Sequence, residues 1–351
     1  MKIITAFDSF KGCMTASEAC SAAEEGLLMA HKDAVCISLP MSDGGEGLVN
    51  CIAQVLPVDM IAVDVCGPMR DRVTAHYAIS NDGKTAYMEM AEAAGLTLVP
   101  KTQRNPMIAT TYGVGEMILD AAKRNCQKIV MGIGGSATCD GGRGMVECFS
   151  ECDEEVKEKL ANIEFLVASD VTNPLCGENG AARIFAPQKG ATAEQVKLLD
   201  RQLLEFARKT ADAGIAPISV MDSPGAGAAG GLGYALMAYV HATLSPGINL
   251  VLDLLDFDNQ ISDADFIITG EGKSDRQTLM GKVAAGVLAR AQKLGKPCHL
   301  LSGQIEDRPA LLNAGFSSVH SIHECDERPL EILMGKEISR ENIVKSCSRL
   351  Y

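Results

Sequence analysis

Between Gly132 and Gly144 six of thirteen residues are glycine, in the run G-I-G-G-S-A-T-C-D-G-G-R-G, and few folds can use such a stretch. Ile129, Val130 and Met131 directly before it make the short apolar run of a buried parallel strand. Glycine permits positive φ and lets backbone amides approach a ligand with no Cβ in the way. Amides in such a loop, followed by a helix start, form an anion cradle. Ser136, Thr138 and Asp140 add two hydroxyls and a carboxylate, which suit a metal-bound polyphosphate better than a bare one. The competing reading is a sharp strand-to-helix turn that needs glycine only for packing. Such a turn rarely carries so many glycines and an embedded acid.

The same grammar recurs along the chain. Residues 3–6 read as a strand running into Asp8-Ser9-Phe10-Lys11-Gly12, and Thr15 with Glu18 makes a capping box for a helix to about His31. A second strand, 35–39, ends in P-M-S-D-G-G-E-G and a helix to about Leu56. Strand, acidic-glycine turn and helix in repetition describe an open α/β sheet, which binds ligands at the carboxyl ends of its strands. The grammar changes over 60–65, 73–79 and 86–90, short strands joined by turn residues that predict an antiparallel meander and a different domain. A helix over 111–124 leads into the strand at Ile129. A buried strand follows over 165–168, and Thr192 with Gln195 caps a long amphipathic helix. Pro224 and the glycines after it open a helix through about Thr243. Parallel grammar returns with a strand at 266–269, a helix to Leu294, a strand at 298–301, a short helix and a final strand near 319–322. The expectation is an α/β protein of two domains: a discontinuous parallel-sheet domain, 1–66 plus 248–351, and an inserted mixed α/β domain, 67–247.

Size and charge narrow the function. A chain of 351 residues can build two cores, and it contains no apolar run long enough to span a bilayer. Residues 1–8 read as a strand entering an acidic turn, not as a signal peptide. The 13 cysteines are scattered with no C-x-x-C pair, which fits reduced, buried thiols and a cytoplasmic setting. His320, His323 and Cys325 could form a metal cluster, but they fall at a strand end. The net charge of −13 argues against nucleic acid or an anionic membrane as partner. A phosphate ligand would then need local amides, lysines and a divalent cation to overcome the global field.

Two stretches match the dinucleotide fingerprint: Gly225, Gly227 and Gly230, with Asp253 at a plausible distance for a ribose contact, and Gly132, Gly134 and Ala137. They keep an NAD(P)-dependent oxidoreductase in view. However, Asp140-Gly141-Gly142 interrupts the helix that should carry the pyrophosphate, and Pro224 abuts the other turn. No G-x-x-x-x-G-K-[ST] loop is present. The acids are more informative. Asp8, Asp43, Glu46, Asp140, Asp170, Glu271 and Asp275 all sit in turns at predicted strand ends, with Lys11, Lys189, Lys273 and Lys282 in the same turns. Carboxylates for Mg²⁺, lysines for phosphate oxygens and glycine amides for the rest are the parts of a phosphoryl-transfer site. For several of these acids a helix cap is the plainer role.

Taken in order, D-S-F-K-G, S-D-G-G-E-G, G-I-G-G-S-A-T-x-D-G-G, D-V-T-N-P-L-x-G, P-Q-K-G-A, P-G-A-G-A-A-G-G, T-G-E-G-K-x-D and G-K-V closely resemble the type 1 glycerate kinase family, from Asp8 to about Val287. The resemblance implies two α/β domains, one of them flavodoxin-like and discontinuous, with the active site in the cleft between them. It implies an ATP-dependent phosphorylation of D-glycerate with Mg²⁺, 2-phosphoglycerate being favoured over 3-phosphoglycerate, and a homodimer is left open. Carried over, Asp170, Asp43 and Lys11 are catalytic candidates, and Asp170, Glu271 and Asp275 are candidate metal ligands. Asp8, Ser9, Gly44, Gly45, Glu46, Gly134, Gly135, Ser136, Asp140, Asn173, Lys189, Gly225, Gly227, Gly230 and Lys282 would bind substrate or nucleotide. This chain departs from the pattern in having Cys139 for the usual asparagine, Ser42 for alanine and Ala284 for proline. The segment between Met145 and Phe165 is shorter than the family's, with Glu151-Cys-Asp-Glu-Glu155 where a glycine-rich stretch is expected. A catalytically weak binding protein is therefore a further alternative.

Overall fold

A computed structural model describes residues 1–45, 47–324 and 326–350. The chain divides into two compact units: residues 1–43, 50–56 and 248–351, and residues 44–49 and 57–247.

The first unit is built on five parallel strands. Lys2–Phe7 lies between Val35–Ser38 and Phe266–Gly270, and Cys298–Ser302 and Ser318–Ser321 follow outward on the far side. Numbered within the unit the order is 2-1-3-4-5, an arrangement in which the winding direction reverses between the first and third strands. Ile3, Ile4, Ala6 and Phe7 are all fully buried, which a central strand with helices on both faces requires. On one face lies the helix Ala16–Ala30, opened by the Thr15–Glu18 capping box that the sequence announces. It packs against a C-terminal helix, Lys336–Leu350, at Gly26, where an added Cβ would stand 2.3 Å from the Val344 carbonyl oxygen. This last helix is not anticipated from sequence. Val283–Lys293 covers Phe266–Gly270 and Cys298–Ser302. Beyond the sheet, Lys273–Ser274 and Gln304–Ile305 form a short parallel ladder that ties together the turns after two neighbouring strands.

The second unit carries a six-stranded mixed sheet in the order Val58–Cys66, Arg72–Ser80, Thr85–Glu89, Lys128–Gly132, Glu164–Ala168, Thr243–Ser245. The first three strands are antiparallel neighbours, as the turn residues predict. Thr85–Glu89 then pairs in parallel with Lys128–Gly132, so the meander is one edge of a larger sheet and not a sheet of its own. Val58–Cys66 pairs with Arg72–Ser80 along its whole length, which puts 57–66 in this unit, where the sequence reading put it in the other. Tyr112–Lys123 makes the crossover into Lys128–Gly132, while Arg143–Glu151 and Glu154–Ala161 precede Glu164–Ala168. The acidic stretch 151–155 is thus a tight junction between two helices.

The glycine run after Pro224 departs from expectation. Ala229, Gly230 and Gly231 all have positive φ (52°, 67° and 94°), so regular helix begins only after them. It ends at His241, in the left-handed region, and Thr243 belongs to a strand and not to that helix.

Candidate active site

In the first unit the carboxyl ends of all five strands converge on one pocket of about 290 Å³. Asp8 to Lys11 come from the turn after the first strand, Asp43 from the chain beyond the second, and Glu271 to Lys273 from the turn after the third. Gly303 with Gln304, and then His323, follow the last two strands. Ligands meet open α/β sheets at these ends, beside the point where the winding reverses.

The acids here have different surroundings. Asp8 is 8% exposed and accepts the Ser9 amide at 2.6 Å. Burial, with Asp43 and Glu271 nearby, pushes its carboxyl up to about 7, against the pull of the Ser9 amide and Lys11. Glu271 is equally buried but well supplied with donors. Its Oε1 accepts from the hydroxyls of Thr278 at 2.6 Å and Ser274 at 3.1 Å, and Oε2 lies 3.6 Å from Lys282 Nζ. Asp275 caps the turn Arg276–Leu279, its Oδ1 accepting the Gln277 amide at 2.7 Å. Of the predicted residues, Asp8, Ser9, Lys11, Asp43, Glu271 and Lys282 line this pocket. Glu46 lies outside the described residues.

The remaining candidates belong to the second unit. Lys189 is 3% exposed and donates to Ser136 Oγ at 2.6 Å and to the Thr138 carbonyl at 2.7 Å. Burial pulls its ammonium down to about 8. Among the described residues the buried Thr138 hydroxyl beside it has no hydrogen-bond partner. Asp140 organises its loop by accepting from the Thr111 amide and hydroxyl and from the amides of Gly142 and Gly144. Asp170 is exposed at the end of Glu164–Ala168, with Oδ1 accepting the Gly247 amide at 3.0 Å. Asn173 donates to the Asn179 carbonyl.

The glycines explain one another. A Cβ at Gly230 would stand 2.0 Å from the Thr138 carbonyl oxygen, and one at Gly227 2.3 Å from the Pro174 carbonyl oxygen. The Gly227 amide donates to the Asn173 carbonyl. Gly227 and Gly230 are therefore required where loop backbone meets loop backbone, while Gly225 has a φ of 89° and its Cβ would meet the Leu244 side chain, so the dinucleotide fingerprint has a packing explanation. Gly134 and Gly135 follow the strand Lys128–Gly132, and Gly44 and Gly45 lie in a bend before the helix Leu48–Val55. A Cβ at Gly134 would stand 2.9 Å from Gly45 Cα, and one at Gly44 would stand 2.4 Å from Ala168 Cβ.

Sequence reasoning missed two features. Glu89, 8% exposed at the end of its strand, accepts the amides of Gly47 and Val49 at 3.0 and 2.9 Å and so holds the turn before the helix Leu48–Val55. Its apolar context in T-A-Y-M-E-M gives no local sign of that contact. His323, considered in the sequence only as a metal candidate, lines the first unit's pocket, and its ring is held by a partner nineteen residues away. Among the described residues no three His, Cys, Asp or Glu side chains gather to hold a metal ion, and Cys325 lies outside them. Nor is any described helix long and apolar enough to cross a membrane.

A pocket lined by acids and lysines at the strand ends of a parallel sheet defines an α/β enzyme that handles a small polar ligand. The sequence model of the glycerate kinase family matches residues 3–151 and 149–350 of this chain. A glycerate kinase of Halalkalibacterium halodurans is 41% identical over 93% of this chain and 92% of its own length. The glycerate 2-kinase of Escherichia coli K12 is 41% identical over 93% of each. A crystal structure provisionally named glycerate kinase 2, from Salmonella typhimurium LT2, superposes with a TM-score of 0.87 at 36% identity, covering 100% of this chain and 97% of that one. The chain belongs to the glycerate kinase family, and it is an α/β kinase with one parallel and one mixed sheet. The family match breaks at 149–151, where the sequence shows the shortened segment.

Proposed function

We propose that the protein transfers the γ-phosphoryl group of ATP to D-glycerate, giving 2-phosphoglycerate, and that its first unit is a discontinuous flavodoxin-like domain. The observation that carries this reading is the pocket, in which carboxylates and lysines from the first three strand ends, with Gln304 and His323 from the other two, surround a volume suited to a small hydroxy acid. Asp8, with a carboxyl near 7 and Asp43 nearby, takes the proton of the attacking hydroxyl, since a base works best when its pKa lies near the working pH. Lys11 and Lys282 supply positive charge to the phosphoryl oxygens, and Lys189 holds Ser136 in place for a phosphate contact.

Mg²⁺ fits the donor set without a preformed cage, because this ion keeps several waters and binds through one or two carboxylates plus substrate phosphates. The exposed Asp170 is the carboxylate we assign to it. When bound, the ion would neutralise charge developing on the phosphate oxygens. Glu271 and Asp275 are the other candidates, and all three carboxylates already accept at least one hydrogen bond from the protein. The name of the E. coli relative favours the 2-hydroxyl as acceptor.

An assay coupling ADP release to NADH oxidation, with ATP, Mg²⁺ and D-glycerate each left out in turn, tests the reading. ADP release should need all three. Release independent of D-glycerate, or D-glycerate oxidation with added NADP⁺ and no ATP, would reject it. Phosphorus NMR of the product separates 2- from 3-phosphoglycerate.

A further inference from the structure

His323 is a pocket residue that neither the family motifs nor the proposed chemistry uses. It follows the strand Ser318–Ser321, and its surroundings fix it unusually well. Its amide donates to Ser321 Oγ at 3.1 Å, and that hydroxyl donates to the Gly303 carbonyl at 2.7 Å, so the residue is tied to the neighbouring pocket wall. The ring is held at Nδ1. Asn342, on the helix Lys336–Leu350, places Nδ2 at 2.9 Å from Asp326 Oδ2 and 3.0 Å from His323 Nδ1.

This geometry decides the tautomer. Asp326 is clamped by Arg328, whose Nε reaches its two oxygens at 2.8 and 3.1 Å. Arg328 and Asn342 together hold the Asp326 carboxyl well below the usual carboxylate range, so it is ionised and can only accept. The Asn342 atom facing it must then be the amide NH₂ and not the carbonyl oxygen, which removes the usual ambiguity of an asparagine flip. One hydrogen of that NH₂ goes to Asp326 and the other points to His323 Nδ1, which must accept it. Burial lowers the pKa of His323, with Arg328 acting in the same sense and Asp326 opposing, so the ring is neutral at pH 7. A neutral imidazole that accepts at Nδ1 carries its proton on Nε2.

We propose that His323 is a further substrate-contacting residue of this pocket, positioned by Asn342 as an Nε2–H donor to an oxygen of the hydroxy acid. The pocket favours the acid over the nucleotide as occupant. Its volume of about 290 Å³ suits a small acid better than a whole nucleotide. The lysines there provide charge without direction, whereas a ring locked on one side gives a donor of fixed direction. The identity of the acid as glycerate rests on the proposed function above.

The test combines spectroscopy, binding and kinetics on the full chain. Long-range ¹H–¹⁵N spectra of histidine-labelled protein, which has six histidines, should show His323 as the Nε2–H tautomer, and Asn342→Ala should release it to a mixture. His323→Asn keeps a polar group only near Nδ1. It should raise the KM for D-glycerate about ten- to a hundredfold, the range expected for a lost hydrogen bond to a charged group, with the KM for ATP within about twofold. His323→Gln, whose amide reaches the Nε2 position, should recover most of that loss. Thermal protection by D-glycerate alone should follow the same ranking and does not depend on turnover. If wild type is protected by D-glycerate but releases no ADP, the kinase reading fails while this assignment stands. An Nδ1–H tautomer in wild type, an unchanged D-glycerate response in His323→Asn, or no protection of wild type would overturn the assignment.

Discussion

Asp8→Asn should make the protein more stable and less active, and the gain should depend on pH in one direction only. The carboxyl of Asp8 moves from 3.8 to about 7 on folding, because burial and the nearby Asp43 and Glu271 oppose its charge. A shift of roughly three units at 1.36 kcal/mol each sets a ceiling of about 4 kcal/mol on the cost of ionising it in place. Because the folded pKa lies above the unfolded one, the folded state binds the proton more tightly. The cost is absent below about pH 4, grows between 4 and 7, and is fully present above 7. Asparagine keeps the side-chain shape and an oxygen to accept the Ser9 amide, so it removes the charge with little repacking. The variant should therefore match wild type near pH 4 and exceed it by about 2–4 kcal/mol at pH 8. At about 2–4 °C per kcal/mol for a domain of this size, that is roughly 5–15 °C in Tm. Melts and urea midpoints at both pH values, beside the coupled assay, provide the comparison. Equal stability at pH 8, or an offset that does not change with pH, would refute the picture of a desolvated, charge-crowded carboxyl. A stabilised variant with wild-type kcat would remove Asp8 from the chemistry.

The other predictions are read the same way. Asp170→Asn should cut kcat about 10²–10³-fold, the scale of one lost electrostatic group, because the substitution retains an acceptor for the Gly247 amide and removes the charge. A stability loss of about 1 kcal/mol with normal turnover would instead make Asp170 a helix cap. Gly230→Ala should cost about 4 kcal/mol or more, since its Cβ meets the Thr138 carbonyl at 2.0 Å with φ at +67°. Gly177→Ala, with φ at +92° and open space around it, should cost only about 1–2 kcal/mol, and equal costs for the two would refute the packing account of the glycines. Lys189 has a folded pKa of about 8, below the ordinary 10.5, so the cost of burying its charge is full below pH 8 and fades as pH rises toward 10.5. Urea unfolding should show wild type gaining about 2–3 kcal/mol on Lys189→Met between pH 7.5 and 10, and a constant difference would contradict it.

What could be read in the sequence was what depends on near neighbours. Thr15 with Glu18 and Thr192 with Gln195 announce their helix starts from three residues' spacing, and both capping boxes form. The acidic turns after residues 6 and 269 do mark carboxyl strand ends, because a parallel strand with both faces covered is a continuous apolar run that must stop at a polar turn. What failed depended on distant partners. Thr243–Ser245 is three residues long and exists because Glu164–Ala168 offers it an edge. The switch of Thr85–Glu89 from antiparallel to parallel pairing is set by which strand lies beside it, and its own residues are the same either way. Asn342 and Asp326 give His323 a fixed tautomer only once the last helix has folded back. The glycines were ambiguous for a deeper reason: a backbone that approaches a phosphate and one that approaches another loop both exclude Cβ.

The same test of partners sorts the acids that the sequence could only collect. A turn acid whose oxygens are met by amides and hydroxyls has its charge already compensated, and the chain around it depends on that compensation. Asp140, with four donors from two segments, and Asp275, capping its own turn, are of this kind. Replacing either should disturb local structure before chemistry. Glu271 is intermediate, saturated at one oxygen by hydroxyls and facing a lysine with the other. Asp8 is buried to the same degree as Glu271, yet it has a single short amide contact in the described structure and two acids nearby. A fold with no use for an ionisable group there would be more stable with asparagine or a hydrophobic residue. An ionisable group kept at a cost to folding, beside the ligand pocket and with a carboxyl near 7, is what a proton acceptor requires, and that makes Asp8 a better-supported base than either Asp43 or Asp170.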